Sequence, residues 1–259
     1  MEKTFQIATW NVNSLRVRLQ HVLQWLAFAK PDVLALQELK MPDEDFPHEA
    51  FKEIGYGAIV NGQKTWNGVA ILSRDISSEV ISTFPHFSDP QKRLLAITLN
   101  QFRIINVYIP NGESVTSEKF KYKLNWLEHF KLFLQTEKEK YSKIIVLGDF
   151  NIAPHNEDVY DPTRADGQVL FSAPERAVFD ELIKMEFRDC FRLHPQPEKS
   201  FSWWDYRLNA FKRNLGFRID HILATSQLAN HCTKCFIDKT PRAWERPSDH
   251  TPVVAMFRY

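Results

Sequence analysis

The sequence predicts an α/β protein in which two mixed β-sheets pack face to face, with helices on their outer sides. Its 259 residues are 44% hydrophobic and 25% charged with eight glycines, a composition that excludes disordered and fibrous chains. Runs typical of strands alternate with a few helical patterns along the chain. Each half has too few strands to close alone and no Gly/Ser linker separates the halves, so we expect one domain over residues 1–259.

The first 108 residues supply most of the strands. A strand at 5–10 is followed by a helix that ends before Pro31, and then by a buried strand at 32–36. The apolar positions of that helix are Leu15, Leu19, Val22, Leu23 and Leu26. Further short strands are predicted at residues 56–60, 69–72, 80–84, 94–99 and 103–108. Their close spacing is typical of an antiparallel meander.

The rest of the chain repeats this plan. A long helix is predicted at 117–141, and a strand at 144–147 stops at Gly148. The apolar residues of the helix are Phe120, Leu124, Leu127, Phe130 and Leu134. A polar loop over 154–172 precedes a helix at 174–185 that has proline in its first turn. The last strands are predicted at residues 217–223 and 253–257.

The charge and cysteine content exclude two classes of protein. With 33 Lys and Arg against 32 Asp and Glu, the net charge of +1 excludes a chain that grips polyanions by bulk charge, although it permits a local basic face. Three cysteines are too few for a disulfide framework, and the Cys232–Cys235 pair beside His231 lacks the second pair of a zinc site. No targeting segment or membrane-length apolar run is visible, so we expect a cytoplasmic protein.

Four strand ends carry polar residues that suit a hard cation. The segments are TWNVN (9–13), LQE (36–38), GDFN (148–151) and SDH (248–250). Glu38, Asp149 and Asp249 supply carboxylates, and Asn11 and Asn151 supply amide oxygens, a set that suits Mg²⁺ or Mn²⁺. Each Asp or Asn alone is more typical of a turn or a helix cap than of a ligand site, but four such sites with complementary chemistry favour a ligand site.

His250 has two interpretations at this stage. It follows Asp249 directly, while Asp220 lies in a different predicted strand. A carboxylate from another strand that fixes the imidazole tautomer is the usual arrangement of a catalytic histidine. A hydrogen-bonded core histidine is the alternative.

Residues 199–218 combine cations with aromatic side chains. The cations are Lys199, Arg207, Lys212, Arg213 and Arg218, against the single acid Asp205. The aromatic residues are Phe201, Trp203, Trp204, Tyr206, Phe211 and Phe217. Cations for phosphates beside flat apolar side chains are typical of a nucleic-acid-binding surface. Packing of these aromatic residues in the core is the alternative.

These motifs together resemble the exonuclease III family of abasic-site endonucleases, within the endonuclease/exonuclease/phosphatase superfamily. The matching segments are WNVNSLR (10–16), LQELK (36–40), NGVAILS (67–73), NVYIPNGE (106–113), GDFNIAP (148–154), FSWWDYR (201–207), GFRIDHIL (216–223) and PSDH (247–250). They span nearly the whole chain in order. The resemblance implies a four-layer αββα sandwich and a Mg²⁺-dependent DNA repair nuclease, with Mn²⁺ as a substitute.

The resemblance also implies roles for individual residues. The catalytic groups would be Tyr108, Asp149, Asn151, Asp220 and His250. The metal environment would include Asn11, Glu38, Asp149, Asn151, Asp249 and His250. Glu38 would be the main metal ligand, Asp149 would orient or deprotonate the attacking water, and His250 would bind the scissile phosphate. Whether Asp149 or His250 is the base, and whether one metal or two bind, stays open.

Duplex DNA with abasic sites or 3′ blocks is the substrate that the resemblance implies, bound by a monomer. Trp203 and Phe217 would wall the pocket for an extruded sugar, because an enzyme must extrude a damaged nucleotide to reach it. Further substrate contacts would come from Asn111, Lys64, Lys121 and Arg246. Cleavage would be expected at abasic sites, at blocked 3′ ends and, exonucleolytically, at normal 3′ ends.

Two questions stay open from the sequence. The segment 160–172 matches family members poorly, and a loop there could decide between cleavage at internal abasic sites and trimming of 3′ ends. A superfamily phosphodiesterase or phosphatase acting on a small phosphorylated lipid or inositol is the alternative enzyme. A non-enzymatic nucleic-acid-binding relative is a third possibility, although the complete set of polar site residues disfavours it.

Overall fold

Two six-stranded mixed β-sheets form the centre of the protein in the computed structural model, which describes residues 3–259. The strands are β1 (Thr4–Asn11), β2 (Val33–Gln37), β3 (Gly57–Asn61), β4 (Val69–Ser73), β5 (Ser78–Ile81), β6 (Leu94–Leu99), β7 (Phe102–Tyr108), β8 (Ile144–Asp149), β9 (Phe187–Asp189), β10 (Asp220–Thr225), β11 (Cys232–Ile237) and β12 (Val253–Arg258). The helices are α1 (Leu15–Ala29), α2 (His48–Lys52), α3 (Glu118–Lys140), α4 (Pro162–Ala165), α5 (Ala173–Lys184) and α6 (Ser226–Ala229).

The two sheets have the same topology. One has the strand order β11-β12-β1-β2-β4-β3, and the other β5-β6-β7-β8-β10-β9. Each contains one parallel pair, β1 with β2 and β7 with β8, connected through α1 and α3 respectively, and its other pairs are antiparallel. The second sheet is built from consecutive strands β5–β10, while β11 and β12 return to the first sheet, so the repeated topology does not coincide with the two halves of the chain. Parallel strands joined by a helix end at the same edge of a sheet, which is where polar side chains can converge.

Three layers of apolar side chains separate the four layers of secondary structure. Ile7 and Ile71 of the first sheet pack with Leu147 and Ile222 of the second, so the main core lies between the sheets. On the outer face of the first sheet, α1 contributes Val22, Trp25 and Leu26. On the outer face of the second sheet, α3 and α5 contribute Leu127, Phe130, Leu134, Phe179 and Leu182. The αββα sandwich expected from the sequence is confirmed.

A buried amide network fixes the two sheets relative to each other. Asn106 of β7 donates across the gap to the carbonyl oxygens of Leu36 (3.0 Å) and Ala70 (2.9 Å). Gln37 of β2 donates in return to Asn106 Oδ1 (2.7 Å). Both side chains are fully buried, so each hydrogen bond forms in a medium where its loss is costly.

Five segments described below differ from the sequence-based expectation. The edge strand β5 lies at Ser78–Ile81 instead of 80–84, with a left-handed Glu79 (φ 50°) that interrupts the alternation. Strands β9 and β11 were not predicted: β9 has three residues, and a bulge between Cys232 and Lys234 disturbs the two-residue period of β11. The loop at 154–172 contains the short helix α4, and β10 begins at Asp220, three residues later than expected. No helix within residues 3–259 is long and apolar enough to cross a membrane.

The prediction that Arg218 is a phosphate-binding cation is not supported, because Arg218 is buried in an ion-pair network. Its guanidinium bonds both oxygens of Asp158 (2.6 and 3.2 Å) and lies 2.7 Å from Asp189. Arg192 also bonds Asp158. Burial alone would raise the pKa of the Asp158 carboxyl. The positive charges of Arg218 and Arg192 outweigh this effect and lower the pKa to about 2.

This network makes stability depend on acid pH. Because the folded pKa of Asp158 lies below the unfolded value of about 3.9, its stabilisation is complete above pH ~4 and is lost as the pH falls towards 2. We expect about 2 kcal/mol of the free energy of unfolding to disappear over this range, measured by urea denaturation. Asp158→Asn should be less stable at pH 7 and should show a shallower slope between pH 4 and 2. The control Asp166→Asn, at an exposed ion pair with Arg176, should retain the wild-type slope; equal slopes in all three proteins would contradict this role.

Gly148 allows β8 to pass close to β7 immediately before Asp149. Its φ is 146°, and a Cβ at this position would lie 1.9 Å from the carbonyl oxygen of Val107. Gly148→Ala should therefore cost about 3 kcal/mol or more, measured by urea denaturation. Gly167→Ala is the matched control, because Gly167 has φ 70° but no atom near its Cβ position. This control should lose about 1–2 kcal/mol of stability, the cost of placing a non-glycine residue in the left-handed conformation. Equal losses of stability in the two variants would contradict the proposed clash.

Candidate active site

The site lies where the parallel strands of both sheets end. Asn11 ends β1, Glu38 follows β2, Tyr108 ends β7 and Asp149 ends β8. Asp220 begins the antiparallel strand β10 directly opposite Asp149. His250 precedes β12 and lies nearby, 3.7 Å from Asp149 (Nε2 to Oδ2). The structure thus brings together the four polar segments that the sequence singled out.

Asn11 connects Glu38 to Asp149. Its Nδ2 donates to Glu38 Oε1 and to Asp149 Oδ2, both at 2.9 Å. Its Oδ1 accepts from the backbone of Asn13, and the N-cap position of α1 is Ser14, so the alternative of Asn11 as a helix cap is wrong. One amide therefore sets the separation of the two carboxylates.

Glu38 has further partners on both carboxylate oxygens. The Tyr108 hydroxyl donates to Oε1 and the Lys40 ammonium pairs with Oε2, both at 2.9 Å. Glu38 has a left-handed backbone (φ 54°), which directs it away from the strand that it follows. Burial, and then the negative Glu38, raise the pKa of Tyr108 well above its usual value, so this phenol remains a hydrogen-bond donor. Arg93 stacks 4.6 Å from the centre of the Tyr108 ring.

Asp149, Asn151 and Asn111 form a continuous polar chain. The Asn151 backbone donates to Asp149 Oδ1 (2.9 Å), which is the turn considered from the sequence. Asn151 Nδ2 donates to the Ile109 carbonyl (2.9 Å), and Asn111 Nδ2 donates to Asn151 Oδ1 (3.0 Å). The turn is therefore part of the site. It holds the Asn151 amide next to the Asp149 carboxylate, and Asn111 bonds the Asn151 amide in turn.

His250 and Asp220 form a buried pair. His250 Nδ1 lies 2.9 Å from Asp220 Oδ2, which also accepts from the Ser202 hydroxyl (2.6 Å). Burial lowers the pKa of His250, but the carboxylates of Asp220 and Asp149 raise it more, to about 10. Burial raises the pKa of Asp149 to about 7, against the opposing effect of His250. His250 is therefore protonated at neutral pH. Its Nδ1–H faces Asp220, and its Nε2–H faces Asp149 and is available as a hydrogen-bond donor.

Asp249 lies beside this cluster and is held separately. Its carboxylate accepts from Asn13 Nδ2 and Trp203 Nε1, both at 2.9 Å. Burial raises the pKa of Asp249, but His250 and these two hydrogen bonds lower it below its usual range. Asn13, Lys40 and Ser202 were missed as site residues, although each lies inside a motif already quoted; polar residues next to a predicted ligand were the available signal.

The donor set fits a hard divalent cation. One side-chain atom from each of Glu38, Asp149 and His250 lies within 4.8 Å of the other two, so two carboxylates and an imidazole converge. Among residues 3–259, three side chains of the acid, histidine or cysteine type converge in this way only here. Carboxylate oxygens suit Mg²⁺ or Mn²⁺, while a protonated imidazole has no lone pair at Nε2 for a metal. Cys232 and Cys235 are buried free thiols, and His231 bonds the Arg258 carbonyl instead of facing them.

An aromatic wall adjoins His250. The rings of Trp203 and Phe217 lie 5.8 Å apart, and Trp203 lies 6.4 Å from His250. Both aromatic side chains are half-buried, whereas Phe201 and Trp204 are completely buried in the core. Tyr206, by contrast, is 52% exposed. The aromatic excess of residues 199–218 therefore divides between core and surface.

The cations predicted to bind substrate differ in their surroundings. Lys64 and Arg246 are exposed, in the loops after β3 and before Asp249. Lys121 is exposed but pairs with Glu118 (2.7 Å), and Arg207 pairs with Asp205. With Arg218 buried, the basic character of residues 199–218 is smaller than the sequence predicts.

The chain resembles known proteins over almost its whole length. The Endonuclease/Exonuclease/phosphatase family profile matches residues 8–250. Exodeoxyribonuclease III of Haemophilus influenzae is 36% identical over 263 aligned residues, covering 96% of this chain and 98% of that protein. Among solved structures, a Neisseria 3′ phosphatase bound to a product DNA hairpin is 43% identical, with a TM-score of 0.96 over 98% of this chain and 100% of that one.

A second solved structure, an AP endonuclease from Archaeoglobus fulgidus, is 38% identical, with a TM-score of 0.92 over 98% of this chain and 99% of that one. Sequence and fold thus point to the same family. The chain belongs to the endonuclease/exonuclease/phosphatase family.

Proposed function

We propose that this protein is a Mg²⁺-dependent DNA repair nuclease of the exonuclease III type, which hydrolyses phosphodiesters at abasic sites and at the 3′ ends of duplex DNA. The observation that carries the proposal is the convergence of Glu38, Asp149 and His250 beside the Trp203–Phe217 wall. The relatives named as exodeoxyribonuclease III, 3′ phosphatase and AP endonuclease support DNA as the substrate.

Asp149 is assigned as the base that orients and deprotonates the attacking water. Of the carboxylates of Glu38, Asp149, Asp220 and Asp249, that of Asp149 accepts hydrogen bonds from both Asn11 and Asn151. It also lies 3.7 Å from His250 Nε2. His250, kept protonated by Asp220, donates to a phosphate oxygen and stabilises the charge that develops there.

The remaining polar groups hold the phosphate and the cation. Tyr108 and Asp220 flank Asp149 from the two neighbouring strands, and Asn111 bonds Asn151 next to Asp149. We assign the hydroxyl of Tyr108 and the amides of Asn111 and Asn151 to phosphate oxygens. Glu38 and Asp149 would hold the cation, with Asn11 and Asp249 beside it or its waters. When bound, the divalent ion neutralises phosphate charge and assists departure of the leaving oxygen.

The half-buried Trp203 and Phe217 would receive the sugar of an extruded nucleotide, and the exposed Lys64 and Arg246 would contact flanking phosphates. We propose that residues 1–259 act as one domain and as a monomer, because both sheets contribute to a single site. A cytoplasmic location agrees with three free thiols. Lipid or inositol phosphates are not favoured, since the relatives above are named for DNA activities.

A pair of duplexes tests the activity. One carries an internal abasic analogue and the other a nick with a 3′-phosphate, each incubated with Mg²⁺ and, as a control, with EDTA. Cleavage of at least one duplex, abolished by EDTA, is the expected result. Failure to cleave either with Mg²⁺ present would refute the proposal, and the relative rates would assign the dominant substrate.

Two substitutions test the assigned roles. Asp149→Asn removes the base and His250→Ala removes the donor, so each should lower kcat at least about 10²-fold, the scale of losing one catalytic group. The controls Asp180→Asn, at an exposed position of α5, and His231→Ala make related changes away from the site and should retain wild-type turnover. Near-native turnover of Asp149→Asn or His250→Ala, measured on the duplex that the wild type cleaves, would overturn that role.

A further inference from the structure

A completely buried ion pair, Lys123 of α3 with Glu175 of α5, lies directly behind the phosphate side of the site. Both side chains have no solvent exposure. Neither residue stands out in the sequence, because a lysine and a glutamate on amphipathic helices are usually solvated. Burying two charges is costly, and apolar replacements of such pairs are often neutral or stabilising. Stability alone is therefore a poor explanation for this pair.

Each Lys123 proton has its own acceptor, and the three acceptors lie on three segments. Lys123 Nζ donates to the Asn151 carbonyl (2.7 Å), to the Asn111 carbonyl (3.1 Å) and to Glu175 Oε1. The Asn111 and Asn151 side chains are themselves bonded to each other at 3.0 Å. The ammonium thus holds the backbone of both amides assigned to the phosphate. Asn151 has a left-handed backbone (φ 50°), which asparagine adopts more readily than most residues, and the Lys123 ammonium bonds its carbonyl oxygen in that conformation.

Glu175 extends this connection to the segment over residues 169–172. Its Oε1 accepts from the Leu170 backbone (3.0 Å), and its Oε2 accepts from the backbone and hydroxyl of Ser172. Leu170 has φ 76°, an outlier for a leucine that persists only where its surroundings determine it. Next to it, Val169 packs against Gly112, the residue after Asn111. The 169–172 segment and the phosphate-binding amides therefore share one anchor.

We propose that the Lys123–Glu175 pair is a positioning element, which fixes the Asn111 and Asn151 amides and the 169–172 segment in one arrangement around the scissile phosphate. This inference rests on the proposed function, where both amides contact phosphate oxygens. Neither Lys123 nor Glu175 touches substrate. Their effect on the reaction passes through the amides, so it should be found in kcat and not in metal binding.

Glu175→Gln tests this proposal against a matched control, Glu137→Gln. Glu137 is also buried and pairs with buried Arg103, but on the far part of α3. Both variants should lower Tm, since each leaves a buried cation without its countercharge. At a temperature well below either Tm, Glu175→Gln should lower kcat about 10-fold or more, the scale for losing a supporting residue, while Glu137→Gln keeps wild-type kcat. The Mg²⁺ concentration for half-maximal rate should stay within about twofold of wild type, because neither Lys123 nor Glu175 bonds Glu38 or Asp149, the two carboxylates assigned to the cation.

The double variant Lys123→Met with Glu175→Gln removes both charges and keeps the fold testable if the single variant is unstable. It should show the same loss of kcat, because the Asn111 and Asn151 carbonyls lose their donor. Equal kcat in Glu175→Gln and Glu137→Gln, or a loss that saturating Mg²⁺ restores, would overturn the proposal. Those outcomes require an active wild type, whereas a wild type that cleaves neither duplex would instead refute the proposed function.

Discussion

The relative position of the two sheets is the constraint on which the site depends. Glu38 belongs to the end of one sheet and Asp149 to the end of the other, and Asn11 donates a hydrogen bond to each. One layer deeper, Gln37 of β2 and Asn106 of β7 join the same two sheets through buried amide hydrogen bonds. A shift of either sheet would break both sets together. The carboxylates are close because the core between the sheets places them there.

This geometry has an electrostatic consequence. Three carboxylates, those of Asp149, Asp220 and Asp249, surround His250 in a buried space, and they raise its pKa to about 10. A cationic imidazole in turn offsets part of the burial that raises the pKa of Asp149. Each charged group is thus tolerated because of the others. A bound phosphate would add a negative charge next to the hydrogen-bond donor His250. A bound divalent cation would add a positive charge next to the carboxylates of Glu38 and Asp149.

Much of the fold could be predicted from periodicity, and most of the site from polar residues at strand ends. The long helix and the buried strands carry strong patterns, so α3, β6 and β8 lie where expected. Strand β11 was missed because a bulge turns Cys232 and Cys235 to the same side. Charge was misleading at Arg218, since a sequence does not show that Asp158 and Asp189, 60 and 29 residues away along the chain, neutralise it. Lys123 and Glu175 were missed for the same reason: helical pattern does not reveal a charge buried by tertiary packing.

The central claim is that the ends of the two sheets form one metal and phosphate site. Anomalous diffraction from crystals soaked in Mn²⁺ tests it most directly, because it locates the cation without relying on turnover. The expected result is a peak within coordination distance of a Glu38 carboxylate oxygen, on the side that faces Asp149, and its loss in Glu38→Gln. A peak bound elsewhere, or one that persists unchanged in Glu38→Gln, would contradict the claim.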